Sequence, residues 1–253
     1  MKQMITAFAL ASALVLTVNL GTAATIYENN FESPADLSGW QILMSTGYGI
    51  VPGVTPCNTG QNVLWMYGEA YNANTYSTAY YKGGGNWSDY CFSVWGRVTS
   101  NWMPWTYVFF RVQGVGGTVR GITNGYMVLL NYALGQVQLT RIVNGGYSDI
   151  ALVQYPFAGL PWINMKIEAG SLVDPYAIKV YFNKACDSNY ELVISTRDPT
   201  FASGSVAIGG EVGGPGTVRH DLFFDRVKVT TLDDGNPSET DASSWGKIKA
   251  LYR

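Results

Sequence analysis

Apolar and polar residues alternate along most of this chain. In WINMKIEA, Ile163, Met165 and Ile167 fall on one side, and Trp162, Asn164, Lys166 and Glu168 on the other. In YAIKVYF, Ile178, Val180 and Phe182 alternate with Lys179 and Tyr181. A period of two puts successive side chains on opposite faces of a strand, and one apolar face per strand marks an antiparallel sheet wetted on its other side. WQILM, NVLWMY, YSTAYY, DYCFSVWGRV, WTYVFFRVQ, GYMVLLN, QVQLTRIV, YELVIS, SVAIGG and LFFDRVKVTT continue the series. They are rich in β-branched and aromatic residues, and most are bounded by Gly, Asn, Asp or Pro. No sustained helical period runs between residues 25 and 232. The pattern predicts an all-β protein, a two-sheet antiparallel β-sandwich.

The two ends read differently. The opening, MKQMITAFALASALVLTVNLGTAA, places Lys2 before an apolar run from Ile5 to Val18, with small residues after it. This predicts a secretory signal peptide over residues 1–24 and a secreted, extracellular or cell-surface protein. No later stretch has the roughly 18 apolar residues of a membrane span, so no transmembrane segment is expected in the mature chain. The sandwich is expected over 25–232. A polar linker, DDGNPSETDAS, follows over 233–243, and then a basic amphipathic tail, SWGKIKALYR, over 244–253. That tail is too short to hold a helix alone in water. Its apolar stripe of Trp245, Ile248 and Leu251 or Tyr252 predicts docking, with a sorting or anchoring machinery reading Trp245 to Arg253 as a partner.

Composition narrows the function classes. Charged residues are 13% and the formal net charge is −2, which leaves no electrostatic drive toward nucleic acid. The cysteines are Cys57, Cys91 and Cys186. Outside the cytoplasm an odd count predicts one disulfide and one leftover thiol, with the pairing open. Aromatics are 14%, with 17 Tyr and 8 Trp.

YENNFESPADLSGW near the start and LFFDRVKVT at the end bracket NGYMVLLN, QVQLTRIVNGG, WINMKIEAG, YAIKVYFN and SGSVAIGG in that order. Together they resemble the concanavalin A-like lectin and glucanase superfamily of jelly rolls, laminin-G-like and carbohydrate-binding modules among them. The resemblance covers roughly residues 26–231. That superfamily hosts lectins, carbohydrate-binding modules, adhesion domains and glycoside hydrolases, so it implies a fold and leaves function to the site. Its hydrolases carry E-x-D-x-x-E on one strand, because the reaction needs two carboxylates flanking the bond. The motif is absent here, and WTYVFFRVQ has no acid. Glu168 and Glu191 stand alone on their strands, and Asp149, Asp174, Asp187, Asp198 and Asp221 fall near turns, where Asp serves the backbone. Catalysis is therefore not expected, although acids meeting across strands stay open.

A sugar ring has an apolar C–H face and a fringe of hydroxyls, matched by aromatic rings and planar polar side chains on one exposed surface. In WTYVFFRVQ, with Val108, Phe110 and Val112 as core, Trp105, Tyr107, Phe109, Arg111 and Gln113 point outward. Trp95 and Arg97 point away from Phe92 and Val94, and Trp102 lies in the turn between these strands. The expected ligand-binding set is Trp95, Arg97, Trp102, Trp105, Tyr107, Arg111 and Gln113, with Trp65 and Tyr67 as an extension. The expected function is a non-catalytic, lectin-like module that binds a polysaccharide or glycan. The alternatives are an adhesive surface protein that binds another protein, and a glycoside hydrolase. In FDRVKV, alternation puts Asp225 on the face of Phe223, Val227 and Val229. A carboxylate in a core needs a cation, an arginine, backbone donors, or a bulge that turns it outward. The resemblance implies a structural Ca2+ there, held by Glu28, Asn30 and Asp225.

Overall fold

The structure, a computed structural model, describes residues 23–45, 47–58, 60–68, 76–99, 105–118, 120–157, 162–171, 173–211 and 220–232. The expected signal peptide up to residue 22, Trp102, the linker and the C-terminal tail lie outside the described residues. The strands are β1 (Thr25–Asn29), β2 (Trp40–Met44), β3 (Gly47–Pro52), β4 (Asn62–Gly68), β5 (Tyr76–Tyr81), β6 (Tyr90–Val98), β7 (Trp105–Val115) and β8 (Ile122–Asn131). They continue as β9 (Gln136–Val143), β10 (Gly146–Gln154), β11 (Ile163–Ala169), β12 (Ala177–Asn183), β13 (Glu191–Arg197), β14 (Ser205–Glu211) and β15 (His220–Thr231). Among the described residues the only helical pieces are two 3-10 turns, Pro34–Leu37 and Pro56–Asn58.

The strands form two antiparallel sheets, as the alternation predicts. One has eight strands in the order β13-β12-β11-β6-β15-β4-β3, with β1 also paired to β15. The other has seven, in the order β10-β9-β8-β7-β14-β5-β2. Between them lies the main core, with Phe92 and Val94 of β6, Val108 and Phe110 of β7, Val128 and Leu130 of β8, Met165 and Ile167 of β11, and Val206 and Ile208 of β14. Ile163, Ile178, Val180 and Phe182 join it, on the side the period-two reading assigned.

A second apolar cluster holds Tyr107, Phe109, Val112, Ile122, Met127, Leu129, Ile142 and Ala207. Every member sits on the seven-stranded sheet, on the face away from the main core. That sheet is therefore apolar on both faces near its middle, which is unusual for a sheet whose outer side faces water.

Two β-bulges shift the alternation. Arg111 adopts φ 50°, in the left-handed region, and the β7–β8 register breaks between Phe110 and Gly114. The extra residue puts Val112 in the outer cluster and turns Arg111 inward, the reverse of the sequence expectation. Arg226 has φ 49°, and the β15–β6 register shifts between Asp225 and Lys228. Leu222 and Phe224 point into the core before this bulge, and Val227 and Val229 after it. Asp225 thus leaves the core side and pairs across from Trp95, on the outer face of the eight-stranded sheet. A disulfide joins Cys57 to Cys186, and Cys91 is the free cysteine.

Candidate functional site

The residues expected to bind ligand do not form one surface. Trp95 and Arg97 lie on the outer face of the eight-stranded sheet, because β6 belongs to that sheet. Trp65 and Tyr67 share this face, their rings stacked at 4.7 Å, with the Trp65 indole N–H donating to Asp221 Oδ1 at 2.8 Å. Trp105 and Tyr107 lie on the outer face of the seven-stranded sheet, on the opposite side of the molecule's core. Arg111 is fully buried. Its backbone N–H donates to the Tyr90 hydroxyl, and its guanidinium donates to the carbonyls of Phe201 and Pro175. Burial lowers its pKa. Gln113 is exposed and donates to the Ser203 carbonyl.

On the seven-stranded sheet, cross-strand register brings Trp105 of β7 opposite Asn131 of β8 and Glu211 of β14. Tyr107 is covered completely, and its hydroxyl donates to the Gly210 carbonyl at 2.9 Å. The neighbouring position explains how this bulky ring lies so low. A Cβ on Gly209 would meet the Tyr107 ring at 2.6 Å and also the Ser77 carbonyl, so only glycine leaves the room. What covers Tyr107 includes Arg120, from the turn between β7 and β8. The Arg120 guanidinium carbon is 5.0 Å from the Tyr76 ring, 5.8 Å from Tyr107 and 5.0 Å from Tyr147.

Those three contacts reveal the shape of the sheet. Tyr76 is on β5 and Tyr147 on β10, five places apart in strand order, which across a flat sheet is about 24 Å. One guanidinium touches both rings, so the sheet curls and its outer face is a hollow that Arg120 spans.

Beside Arg120 is a cavity of about 150 Å3. Its floor includes Met127 and Leu129, and its rim carries Trp105, Arg120, Asn131, Gln138, Thr140, Tyr147 and Asp149. Asp149 sits within β10 rather than serving a turn. Its Oδ1 accepts from Gln138 Nε2 and, at 3.3 Å, from Thr140 Oγ1. The β10–β9 register shifts between Asp149 and Ala151, a bulge that re-aims the strand beside the cavity. Three buried atoms around the cavity have no hydrogen-bond partner: Trp105 Nε1, the Tyr147 hydroxyl and Arg120 Nε. Buried polar atoms are seldom left so, because each forfeits its hydration.

Glu211 sits beside this group, paired across from Trp105. It is 1% exposed, and neither carboxylate oxygen has a partner. Burial pushes its carboxyl up to about 7, against the pull of Arg120. The sequence reading passed over it. Its signal was the strand SVAIGGE itself, where Ala207, Gly209 and Glu211 share a face and the first two leave space above the sheet.

Several other acids have structural partners. Glu168 pairs with Lys166 and Lys179, Asp174 with Arg197, and Asp198 with Arg141. Glu191 accepts from the Tyr155 hydroxyl. Among the described residues Asp149 is the one carboxylate on the cavity rim, and Glu211 does not border it. Two carboxylates flanking a bond, the arrangement common to glycoside hydrolases, are not found among the described residues of the cavity rim.

No family model matches this sequence, and no curated protein matches it. Solved structures do. The chain superposes on the legume lectin-like domain from Entamoeba histolytica with a TM-score of 0.59 at 9% identity, covering 84% of this chain and 100% of that one. Its fold is the concanavalin A-like jelly roll. The VIP36 exoplasmic/lumenal domain in its Ca2+/Man3GlcNAc-bound form matches with a TM-score of 0.55 at 11% identity, covering 84% and 91%. The carbohydrate-binding module CBM66 from Bacillus subtilis matches at 0.52 and 17%, covering 76% and 96%. At such identities the likeness is one of fold. The disulfide agrees with a location outside the cytoplasm.

The calcium expectation meets a poor donor set. Glu28 pairs with Lys228 at 3.6 Å, and Asp225 Oδ1 accepts the Arg226 backbone N–H at 2.7 Å. Asn30 and Glu28 border one hollow with Tyr27, Glu32 and Asp36, and Asp225 does not border it. Among the described residues no three His, Cys, Asp or Glu side chains gather as metal ligands. Glu28, Asn30 and Asp225 do not fit one calcium ion, which takes about six to eight oxygens at one point.

Proposed function

We propose that this protein is a secreted glycan-binding module and that the hollow outer face of the seven-stranded sheet is where it binds. The observation that carries the reading is the cavity beside Arg120. It joins an apolar floor to planar polar side chains, and its rim holds an indole N–H, a phenol and a guanidinium N–H without partners. An apolar surface edged by unsatisfied donors is the complement of a sugar ring. The fold shared with VIP36 and a carbohydrate-binding module agrees. In this reading Trp105 remains a ligand-binding residue, Asn131, Gln138, Tyr147, Asp149 and Arg120 join it, and Tyr107 supports them from below. Trp95 and Arg97 belong to the other face and are left out of the set.

The test is a panel of immobilised polysaccharides (mannan, β-glucan, xylan, fructan, chitin and pectin) probed by affinity electrophoresis. The wild type is expected to be retarded by at least one, and Trp105→Ala to lose about tenfold or more of that affinity. Retardation by none, or a Trp105→Ala variant that binds as wild type, counts against the reading. A structural calcium is tested separately. A melting temperature raised by calcium and no longer raised in Glu28→Gln would restore a site that the geometry does not support.

A further inference from the structure

Among the described residues the cavity rim carries one acid, Asp149, and one base, Arg120, with no ion pair between them. Among the described residues the ion pairs run through Arg141, Lys166, Lys179, Arg197 and Lys228, with Arg120 in none of them. Asp149 is held from one side by Gln138 and Thr140, which both donate to its Oδ1 and leave Oδ2 without a bond to either. Arg120 is held by the faces of Tyr76, Tyr107 and Tyr147. Tyr147 and Asp149 are two residues apart on β10 and share a face, so their side chains stand about 7 Å apart. The guanidinium over Tyr147 and the Asp149 carboxylate thus border one cavity from the same face of β10.

Resting on the glycan-binding reading, we propose that Asp149 and Arg120 clasp two adjacent hydroxyls of a neutral sugar. One hydroxyl donates to the Asp149 carboxylate, and the neighbouring oxygen accepts from the Arg120 guanidinium. Two adjacent hydroxyl oxygens with a hydrogen bond at each end span about 8 Å, which suits two charges that border one cavity and form no direct ion pair. The opposite charges cancel, so the cavity offers no net attraction to either a uronate or an ammonium. A second cation meets the Arg120 charge, and the tyrosine faces that would hold it are already taken. A second anion meets Asp149, with the Glu211 carboxyl buried across from Trp105.

The experiment measures wild type, Asp149→Asn and Tyr147→Phe against neutral polymers (mannan, β-glucan, xylan and fructan), an anionic one (polygalacturonate) and a cationic one (chitosan). Asp149 is exposed, so Asp149→Asn should fold normally, and an unchanged melting curve verifies this. Wild type is expected to bind a neutral polymer and to prefer it over both charged ones. Asp149→Asn should bind that polymer about tenfold or more weaker and gain affinity for polygalacturonate, because the Arg120 charge then meets no carboxylate on the cavity rim. Tyr147→Phe keeps the ring under Arg120 and loses only the hydroxyl, so it should weaken binding to the neutral polymer without any gain in affinity for polygalacturonate. Wild-type binding to a neutral polymer that Asp149→Asn leaves intact overturns the clasp and spares the glycan-binding reading. Binding confined to a charged polymer also overturns the clasp alone. Binding to none of the polymers overturns both.

Discussion

Replacing Glu211 with glutamine should stabilise the protein above neutral pH and do little in acid. The carboxyl is 1% exposed, both oxygens lack a partner, and its pKa is raised from 4.5 to about 7, chiefly by burial. Below pH 4.5 the group is protonated in both the folded and the unfolded chain, and it contributes nothing to the difference. Between 4.5 and about 7 the unfolded chain releases the proton and the folded one keeps it. Stability therefore falls as pH rises, because the folded state binds more protons. Above about 7 the whole penalty applies, and a shift of this size corresponds to about 3 kcal/mol. Glutamine has the same shape and no charge to bury. Urea unfolding of wild type and Glu211→Gln across this range should give curves that meet in acid and separate by about 3 kcal/mol at alkaline pH, with Tm apart by roughly 6–12 °C. Parallel curves, or a wild type that gains stability relative to the variant as pH rises, would refute the buried, unpaired carboxyl.

Two further perturbations test the frame around the site. Asp198 is pulled up by burial, but hydrogen bonds from Thr200 and Tyr126 and the charge of Arg141 outweigh this and hold its pKa below 3.8. Its contribution is present above 3.8 and is lost as pH falls through the folded value, so Asp198→Asn should cost about 1–2 kcal/mol at neutral pH, a gap that closes in acid denaturation. Replacing Cys57 and Cys186 together by alanine opens a loop of 129 residues, and chemical denaturation should show a loss of about 2–5 kcal/mol.

The sandwich was legible because its signal is local. Alternation in β11 and β12 put Ile163, Met165, Ile167, Ile178, Val180 and Phe182 inward, where they are. Alternation cannot register an inserted residue. At Arg111 and Arg226 a bulge shifts the phase by one, moving Val112 out of the core, Arg111 in, and Asp225 onto the outer face. Nor does it say which sheet a strand joins. Trp95 and Trp105 are close in sequence and both point outward, but β6 belongs to one sheet and β7 to the other, so their faces are opposite. The cavity was hidden for a related reason. Asp149 reaches it from β10, Arg120 from a turn, and Asn131 from the end of β8, and only the curl of the sheet gathers them. The pairing of Cys57 with Cys186 is likewise a matter of topology, which spacing along the chain does not encode.

The central claim is that glycan binds the hollow face of the seven-stranded sheet. Hydroxyl-radical footprinting reads side-chain accessibility on both faces in one experiment, with and without a polysaccharide from the binding panel. Trp105 and Tyr147 should be protected on binding, while Trp65 and Tyr67, on the opposite sheet, should oxidise at unchanged rates. Protection of Trp65 and Tyr67 with Trp105 and Tyr147 unaffected would contradict the account and move the site to the eight-stranded sheet.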